Sequence, residues 1–351
     1  MVRSNGHLHH LLHALLLFHH ISTPSVALSC NDGSSAFCVL AHPTSCEGKL
    51  HEMIVREGSL NPVDGIDISF FASPAFKDMD NDGDLDLFLG PYQSAVLRYF
   101  KNEGTPTNPI FTELTGGANP MDDFTVGAVG AVGIFRTVSL GDMDADGDFD
   151  IFVGTTDASD AGRILYFENV GTLETPEFEE RLNALNPMHF PTTFKTGFLG
   201  KVVLQSLCDI DGDGDQDMFV MVDPDGSGGQ LPIYFFMNIG SPQAPVFNKT
   251  SLSENPVFGV RGIGPPSFYD IDRDGDLDMI LGDKSPRPLR YYENTGSSTN
   301  PLFTRRVGTL NPMVGVPLSD LFDFPTLADI DGDGDKEESM KDAAKDAKKE
   351  D

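Results

Sequence analysis

The chain has 351 residues, 39% of them apolar, with 36 Gly, 24 Pro, no Trp and a formal net charge of −30. So acidic a chain repels nucleic acid and anionic lipid faces, whose binding rests on neutralising phosphates with Lys and Arg, and no nucleic-acid partner is expected. The length suffices for one large domain, and the Gly and Pro content suits many short strands joined by turns.

Residues 1–29 read as a secretory signal peptide, with an Arg- and His-bearing start, the apolar core LLHALLLF and small residues in STPSVALS. The core is too short to span a bilayer, so no transmembrane segment is expected. His13 interrupts it and His9, His10, His19 and His20 flank it, and a disordered His-rich leader is the plain alternative. Residues 30–48 hold Cys30, Cys38 and Cys46, for which a secreted location implies one disulfide and one thiol left over, with the pairing open.

At 78–86 the chain reads DMDNDGDLD, with aspartate at every second position. Two carboxylates about 4 Å apart repel by about 4 kcal/mol at a surface-like dielectric, so a cation is expected among them. A hard cation such as Ca²⁺ takes carboxylates from loop positions 1, 3 and 5 and a main-chain carbonyl from position 7. Asp78, Asp80 and Asp82 fit the first three, Asp84 supplies the carbonyl, and Asp86 at position 9 is the closing carboxylate. Position 12, where a helix-loop-helix calcium hand carries Glu, is Leu89, so the loop is shorter than that hand. Gly83 at position 6 allows the sharp turn.

The loop recurs. Asp142, Asp144, Asp146, Asp148 and Asp150 repeat the pattern, as do Asp209, Asp211, Asp213, Asp215 and Asp217, then Asp270, Asp272, Asp274, Asp276 and Asp278. A fifth copy is Asp329, Asp331, Asp333, Asp335 and Glu337. One Ca²⁺ per loop, up to five, is the cofactor expected, and filling all five leaves a net charge of −20.

Self-similarity at a steady period means one supersecondary unit is arrayed. A small, apolar stretch precedes each loop (71–76, 136–140, 202–207, 265–269, 324–328) and reads as strand one. A short apolar run follows four of them (LFLG, IFVG, MFVM, MILG) and reads as a buried strand two. Aromatic runs at 95–100, 163–168, 231–236 and 288–293 end in Asn-x-Gly and read as strand three. Pro-x-Phe segments at 109, 176, 245 and 301 open strand four, which leads to Asn-Pro at 119, 186, 255 and 311. Four short strands per unit predict an all-β propeller of four-stranded blades with a calcium loop between strands one and two.

The repeat resembles the FG-GAP or VCBS family, the unit of the integrin alpha-subunit propeller, on the strength of the acid loops and segments such as NEGTPTNPIF. That resemblance spans about residues 50 to 337 and implies a DxDxDGxxD loop that holds calcium in each blade. It also implies a secreted or cell-surface module that binds an extracellular protein or glycan, as in cell adhesion.

Four repeats are complete and the fifth stops after its acid loop, while 338–351 is a charged tail, disordered or at most a frayed helix. The propeller domain is therefore taken as 49–337. KLHEMIVREGSLNP at 49–62 has the pattern of a fourth strand with its Asn-Pro pair, and 50–56 is expected to meet the strand at 324–328. A five-position ring with one thin blade, an open arc and an incomplete chain all remain open.

No nucleophile elbow, HExxH or phosphate-binding loop occurs, and no enzyme activity is expected. Asp122 with Asp123 and Asp320 with Asp323 are the acid pairs for glycoside hydrolysis, which needs two carboxylates roughly 5 to 9 Å apart in a cleft. A non-catalytic module of a larger carbohydrate- or lipid-acting enzyme is the alternative function. Asn248 in NKT is a glycosylation acceptor, and Cys208 reads as a buried small hydrophobe. The variable stretches 122–133, 155–162 and 222–230 are candidate ligand contacts.

Overall fold

The computed structural model describes residues 25–31, 35–41, 62–63, 65–66, 72–91, 94–127, 136–156, 162–189, 202–223, 231–283, 289–314 and 325–328. The chain starts with a hairpin of β1 (Ser25–Asn31) and β2 (Ser35–Ala41). Blade one is β3 (Ala72–Lys77), β4 (Asp86–Pro91), β5 (Arg98–Asn102) and β6 (Phe111–Leu114). Blade two is β7 (Thr137–Gly141), β8 (Asp150–Thr156), β9 (Gly162–Asn169) and β10 (Phe178–Glu180). Blade three is β11 (Val202–Cys208), β12 (Asp217–Asp223), β13 (Leu231–Asn238) and β14 (Phe247–Lys249), with β15 (Arg261–Gly262) added beside β13. Blade four is β16 (Ser267–Tyr269), β17 (Asp278–Leu281), β18 (Arg290–Asn294) and β19 (Phe303–Arg306), and β20 (Pro325–Ala328) follows. Strands within a blade pair antiparallel in chain order, as the sequence pattern predicts.

Second strands read as unbroken apolar runs because both their faces are covered. Leu87, Phe88, Ile151, Phe152, Val153, Phe219, Val220, Met279 and Ile280 are fully buried, one face against each neighbouring blade. First strands meet around the axis. The Ser139 hydroxyl donates to the Gln205 carbonyl at 3.1 Å, and the Gln205 side-chain amide donates to the carbonyls of Thr137 (2.9 Å) and Phe152 (3.1 Å). Fourth strands form the outer edge and are the most exposed.

The Asn-Pro pairs fasten each blade to the next. The Asn119 side-chain amide donates to the Leu97 carbonyl (2.9 Å) while its Oδ1 accepts from the Met121 N–H (2.9 Å). Asn186, Asn255 and Asn311 repeat both bonds, and the residue each clamps, Met121, Met188, Val257 or Met313, is buried. Val63 two residues after Asn61 is the fifth copy, packed with Phe76, Leu87 and Ala328.

That cluster marks the closure of the ring. The Thr326 hydroxyl donates to the Pro74 carbonyl of blade one (2.8 Å), and the Leu327 N–H donates to the Ser267 hydroxyl of blade four (3.1 Å). β20 thus stands between the fourth and first blades. It pairs antiparallel with β1, giving a three-stranded sheet β2-β1-β20, a pairing the sequence pattern does not predict. β1 begins at Ser25, inside the stretch 1–29 expected to be a leader, and contributes to the sheet that closes the ring. Residues 50–56, the fifth acid loop from Asp329 to Glu337, the tail 338–351, Cys46, Asp320 and Asp323 lie outside the described residues. No helix among the described residues is long and apolar enough to cross a membrane.

Replacing Asn119 by Ala would strand a buried carbonyl and a buried N–H at once. An expected cost of about 1–3 kcal/mol should appear as a lower midpoint in urea unfolding; an unchanged midpoint would show that the clamp carries no stability.

Candidate metal centres

Each acid loop joins strands one and two of its blade and presents nine positions, counted from its first aspartate. Position 6 is Gly83, Gly147, Gly214 and Gly275, at φ of 95°, 101°, 94° and 95°. Position 4 is left-handed as well, with φ of 56° at Asn81, 56° at Ala145, 70° at Gly212 and 64° at Arg273. Sequence reasoning explained the glycine at 6 and missed position 4, although Asn and Gly at two of the copies were the available signal.

This double left-handed turn draws side chains 1, 3 and 5 together. Single carboxylate oxygens of Asp78, Asp80 and Asp82 lie within 4.8 Å of one another, as do those of Asp142, Asp144 and Asp146, of Asp209, Asp211 and Asp213, and of Asp270, Asp272 and Asp274. Backbone donors fix the arrangement. The position-6 N–H donates to the position-1 carboxylate at 3.0–3.1 Å, and the position-7 N–H to the position-5 carboxylate at 3.1–3.3 Å, in all four loops.

The groups have the donor chemistry of a hard-cation site: oxygen only, three carboxylates, partly shielded from water. Buried, unpartnered oxygens support the fit, since Asp80 Oδ1, Asp142 Oδ1 and Oδ1 of Asp84, Asp148, Asp215 and Asp276 receive no hydrogen bond. Desolvation, followed by repulsion from the neighbouring aspartates, pushes Asp84, Asp148 and Asp215 up to about 6 and raises Asp276. The same causes raise Asp144 and Asp211, and lift Asp272 to about 6.

Position 9 stands apart from these groups. Asp86, Asp150, Asp217 and Asp278 are at most 1% exposed and start the second strands. Oδ1 of each accepts the N–H of Asn102, Asn169, Asn238 or Asn294 on strand three, at 2.7–2.8 Å. Oδ2 accepts the phenol of Tyr99 (2.8 Å), Tyr166 (2.9 Å) or Tyr291 (2.7 Å) and the position-2 N–H of Met79, Met143 or Ile271. These carboxylates are thus taken up by protein donors, although the alternation of aspartates puts them in register with the ligand positions.

Blade three departs from the others. Phe235 stands where they have Tyr, and Asp217 Oδ2 is buried without a partner. In blades one, two and three the strand-three ring stacks on the strand-two Phe, at 4.7 Å for Phe88–Tyr99 and Phe152–Tyr166 and 4.8 Å for Phe219–Phe235, while in blade four Tyr291 faces Ile280. The same strand three ends in the Asn-x-Gly turn, whose Asn Oδ1 accepts two N–H groups, as Asn102 does from Gly104 (3.0 Å) and Ile110 (2.8 Å). A Cβ on Gly104 would lie 2.3 Å from the Asn108 carbonyl oxygen, which is why glycine stands there.

Of the other residues singled out, Asp122 and Asp123 are both exposed, and Asn248 is exposed on the outer strand. Cys208 is buried in the core between blades three and four, where desolvation raises its thiol well above the ordinary range.

The family model for FG-GAP-like repeats matches residues 78–153 and 209–281, each running from the first aspartate of one loop into strand two of the next blade. Those segments are FG-GAP-like repeats, and the repeat family read from the acid loops is the one that matches. No curated protein matches the chain in sequence. Similar solved structures include an Agrocybe aegerita lectin studied for recognition of non-reducing terminal N-acetylglucosamine, at 13% identity and a TM-score of 0.39, covering 88% of this chain and 96% of that one. The Dos1 propeller is similar at 12% identity and a TM-score of 0.34, over 85% of this chain and 66% of that one.

Two predictions follow from the position-9 geometry. Tyr166→Phe leaves Asp150 Oδ2 short of a donor and should cost about 1–3 kcal/mol, whereas Phe235→Tyr supplies the donor Asp217 lacks and should stabilise by about 1 kcal/mol; opposite shifts in melting temperature are the readout. Burial holds Asp86 at about 6 and Asp150, Asp217 and Asp278 at about 7 despite their hydrogen bonds. Between about pH 4 and pH 7 the folded chain therefore keeps protons that the unfolded chain has released, and stability falls as pH rises. In chelator, the melting temperature should be higher at pH 5 than at pH 8, and the reverse order would refute the assignment.

Proposed function

We propose that the chain is a secreted, calcium-stabilised β-propeller that acts by binding an extracellular protein or glycan without catalysing a reaction on it. The observation that carries the calcium part is the convergence of carboxylates 1, 3 and 5 within 4.8 Å in four successive loops. Asp78, Asp80 and Asp82 with the Asp84 carbonyl would hold one ion, and the matching residues of the next three loops would do the same. By repetition, Asp329, Asp331 and Asp333 with the Asp335 carbonyl would hold a fifth.

A bound Ca²⁺ supplies two positive charges to each cluster, so its binding free energy becomes folding free energy. The protein's own part is to pre-shape the turn: left-handed positions 4 and 6 aim the carboxylates, and the buried position-9 aspartate ties the loop to strands two and three. Extracellular calcium is millimolar, which fills sites of modest affinity and fits a secreted location, with a leader that ends ahead of β1 at Ser25 in place of residue 29. Carboxylates engaged by a cation stay ionised and are poor proton carriers, which favours binding over catalysis.

The binding surface is assigned to the ends of the blades opposite the acid loops. In an antiparallel blade the strand 1–2 and 3–4 turns share one end, and the strand 2–3 and blade-to-blade connections share the other. The first set is nearly invariant from repeat to repeat, while the second includes 122–133, 155–162 and 222–230, which differ in length and composition.

Calorimetric titration of calcium into the metal-stripped full chain, paired with melting in chelator and in calcium, tests the metal part. Saturable binding and a raised melting temperature are expected, each site adding about 2.7 kcal/mol at calcium one hundred times its Kd. Binding without stabilisation, or none, would overturn it. Screening the calcium-loaded chain on a glycan array tests the ligand class, with protein partners favoured if no glycan binds.

A further inference from the structure

The four loops differ in what faces them from strand three. Immediately before the Asn whose N–H holds the position-9 aspartate, the chain has Lys101 in blade one, Glu168 in blade two, Met237 in blade three and Glu293 in blade four. This residue looks onto loop position 3. The Lys101 ammonium pairs with Asp80 Oδ2 and lies 3.4 Å from Asp82 Oδ2. Glu168 and Glu293 act on the equivalent carboxylates with the opposite sign, helping to raise Asp144 and Asp272.

Strand four accounts for the difference. Glu168 is held by both arms of Arg181, at 2.8 and 2.6 Å, and Glu293 likewise by Arg306, at 2.7 and 2.5 Å. Leu114 pairs with Tyr99 at the matching end of strand four in blade one, so no arginine stands there and no acid is needed opposite it. Lys101 turns instead to the loop, and its side chain is about a third exposed while Asp80 is 15% exposed.

We propose that Lys101 is the built-in counter-ion of the first acid loop, and that this loop is thereby the weak calcium site of the propeller, resting on the calcium reading above. The ammonium pairs with two of the three carboxylates that would hold a metal, and a cation entering the loop must first displace it. At this strand-three place blades two, three and four carry no cation, and in blades two and four the acid that stands there is paired with an arginine of strand four. All four loops share the turn, but only in blade one does a side-chain cation from strand three offset the carboxylates.

Lys101→Met is the informative variant, because Met237 already occupies this place in blade three. Calcium titration of the metal-stripped full chain should give one more tight site in Lys101→Met than in the wild type, with affinity at that loop raised at least about tenfold by removal of a charge about 4 Å from the ligands. In chelator the same variant should melt below the wild type, and in calcium the gap should close. Asp82→Asn in the wild type should leave the number of tight sites unchanged, whereas Asp146→Asn, its counterpart in blade two, should remove one. If Lys101→Met gains no site while Asp82→Asn and Asp146→Asn each remove one, the first loop is an ordinary site and the Lys101 assignment falls alone. If no loop binds calcium in the wild type, the calcium reading falls and takes this assignment with it.

Discussion

Everything in a blade hangs on one buried carboxylate. The position-9 aspartate is the last residue of the acid loop and the first of strand two, and its two oxygens accept donors from strand three and from the loop itself. A desolvated carboxylate is costly unless its lone pairs are filled, so the cost of burying Asp86 fixes where Asn102, Tyr99 and Met79 must stand. In blades one and two the Tyr whose hydroxyl is committed to that aspartate also lays its ring on the Phe of strand two. The Asn-x-Gly turn follows too, since the Asn whose N–H is used there folds its own side chain over the turn to strand four. One ionisable group thus sets the register of three strands, and repeating it every sixty or so residues builds the propeller.

Much of this was legible in the sequence. The strand positions were readable because buried second strands leave unbroken apolar runs and third strands end in turn residues, and the starts agree with the observed strands within about three residues. The metal groups were readable because side chains 1, 3 and 5 belong to one turn, so local spacing determines their meeting. The role of position 9 was not, because period-two spacing makes five aspartates look equivalent, while the partners that set one apart lie 13 and 16 residues away. The partner of β20 was equally hidden, since a strand's hydrogen-bonding partner across some three hundred residues leaves no mark in local pattern.

Within each loop the charges divide into two populations with opposite needs. Positions 1, 3 and 5 are partly exposed and face one another, so they are relieved by a cation from outside or, in blade one, by Lys101. Position 9 is buried and relieved by neutral donors, so it needs no metal to be satisfied. A loop can therefore lose its ion without losing the hydrogen bonds that anchor its end to the sheet. On the calcium reading proposed above, metal removal would loosen the turn while the blade core persists, and the two failures would separate in an experiment that follows the loops and the core independently.

Variation among the blades then becomes interpretable as local exchange of one solution for another. Blade two meets the acid on strand three with an arginine from strand four, blade three replaces both with Met237 and Thr250, and blade one replaces them with Lys101 and Leu114. The pair is neutral in blades two, three and four and carries one positive charge in blade one, so the field that the three ligand carboxylates experience differs there. Because the fold depends on position 9, which every described blade keeps, the residue facing position 3 varies from blade to blade while the architecture stays the same. Repeats that share one architecture can in this way differ in their demand for metal, and the differences reside on strand three, outside the nine residues by which the loop is recognised.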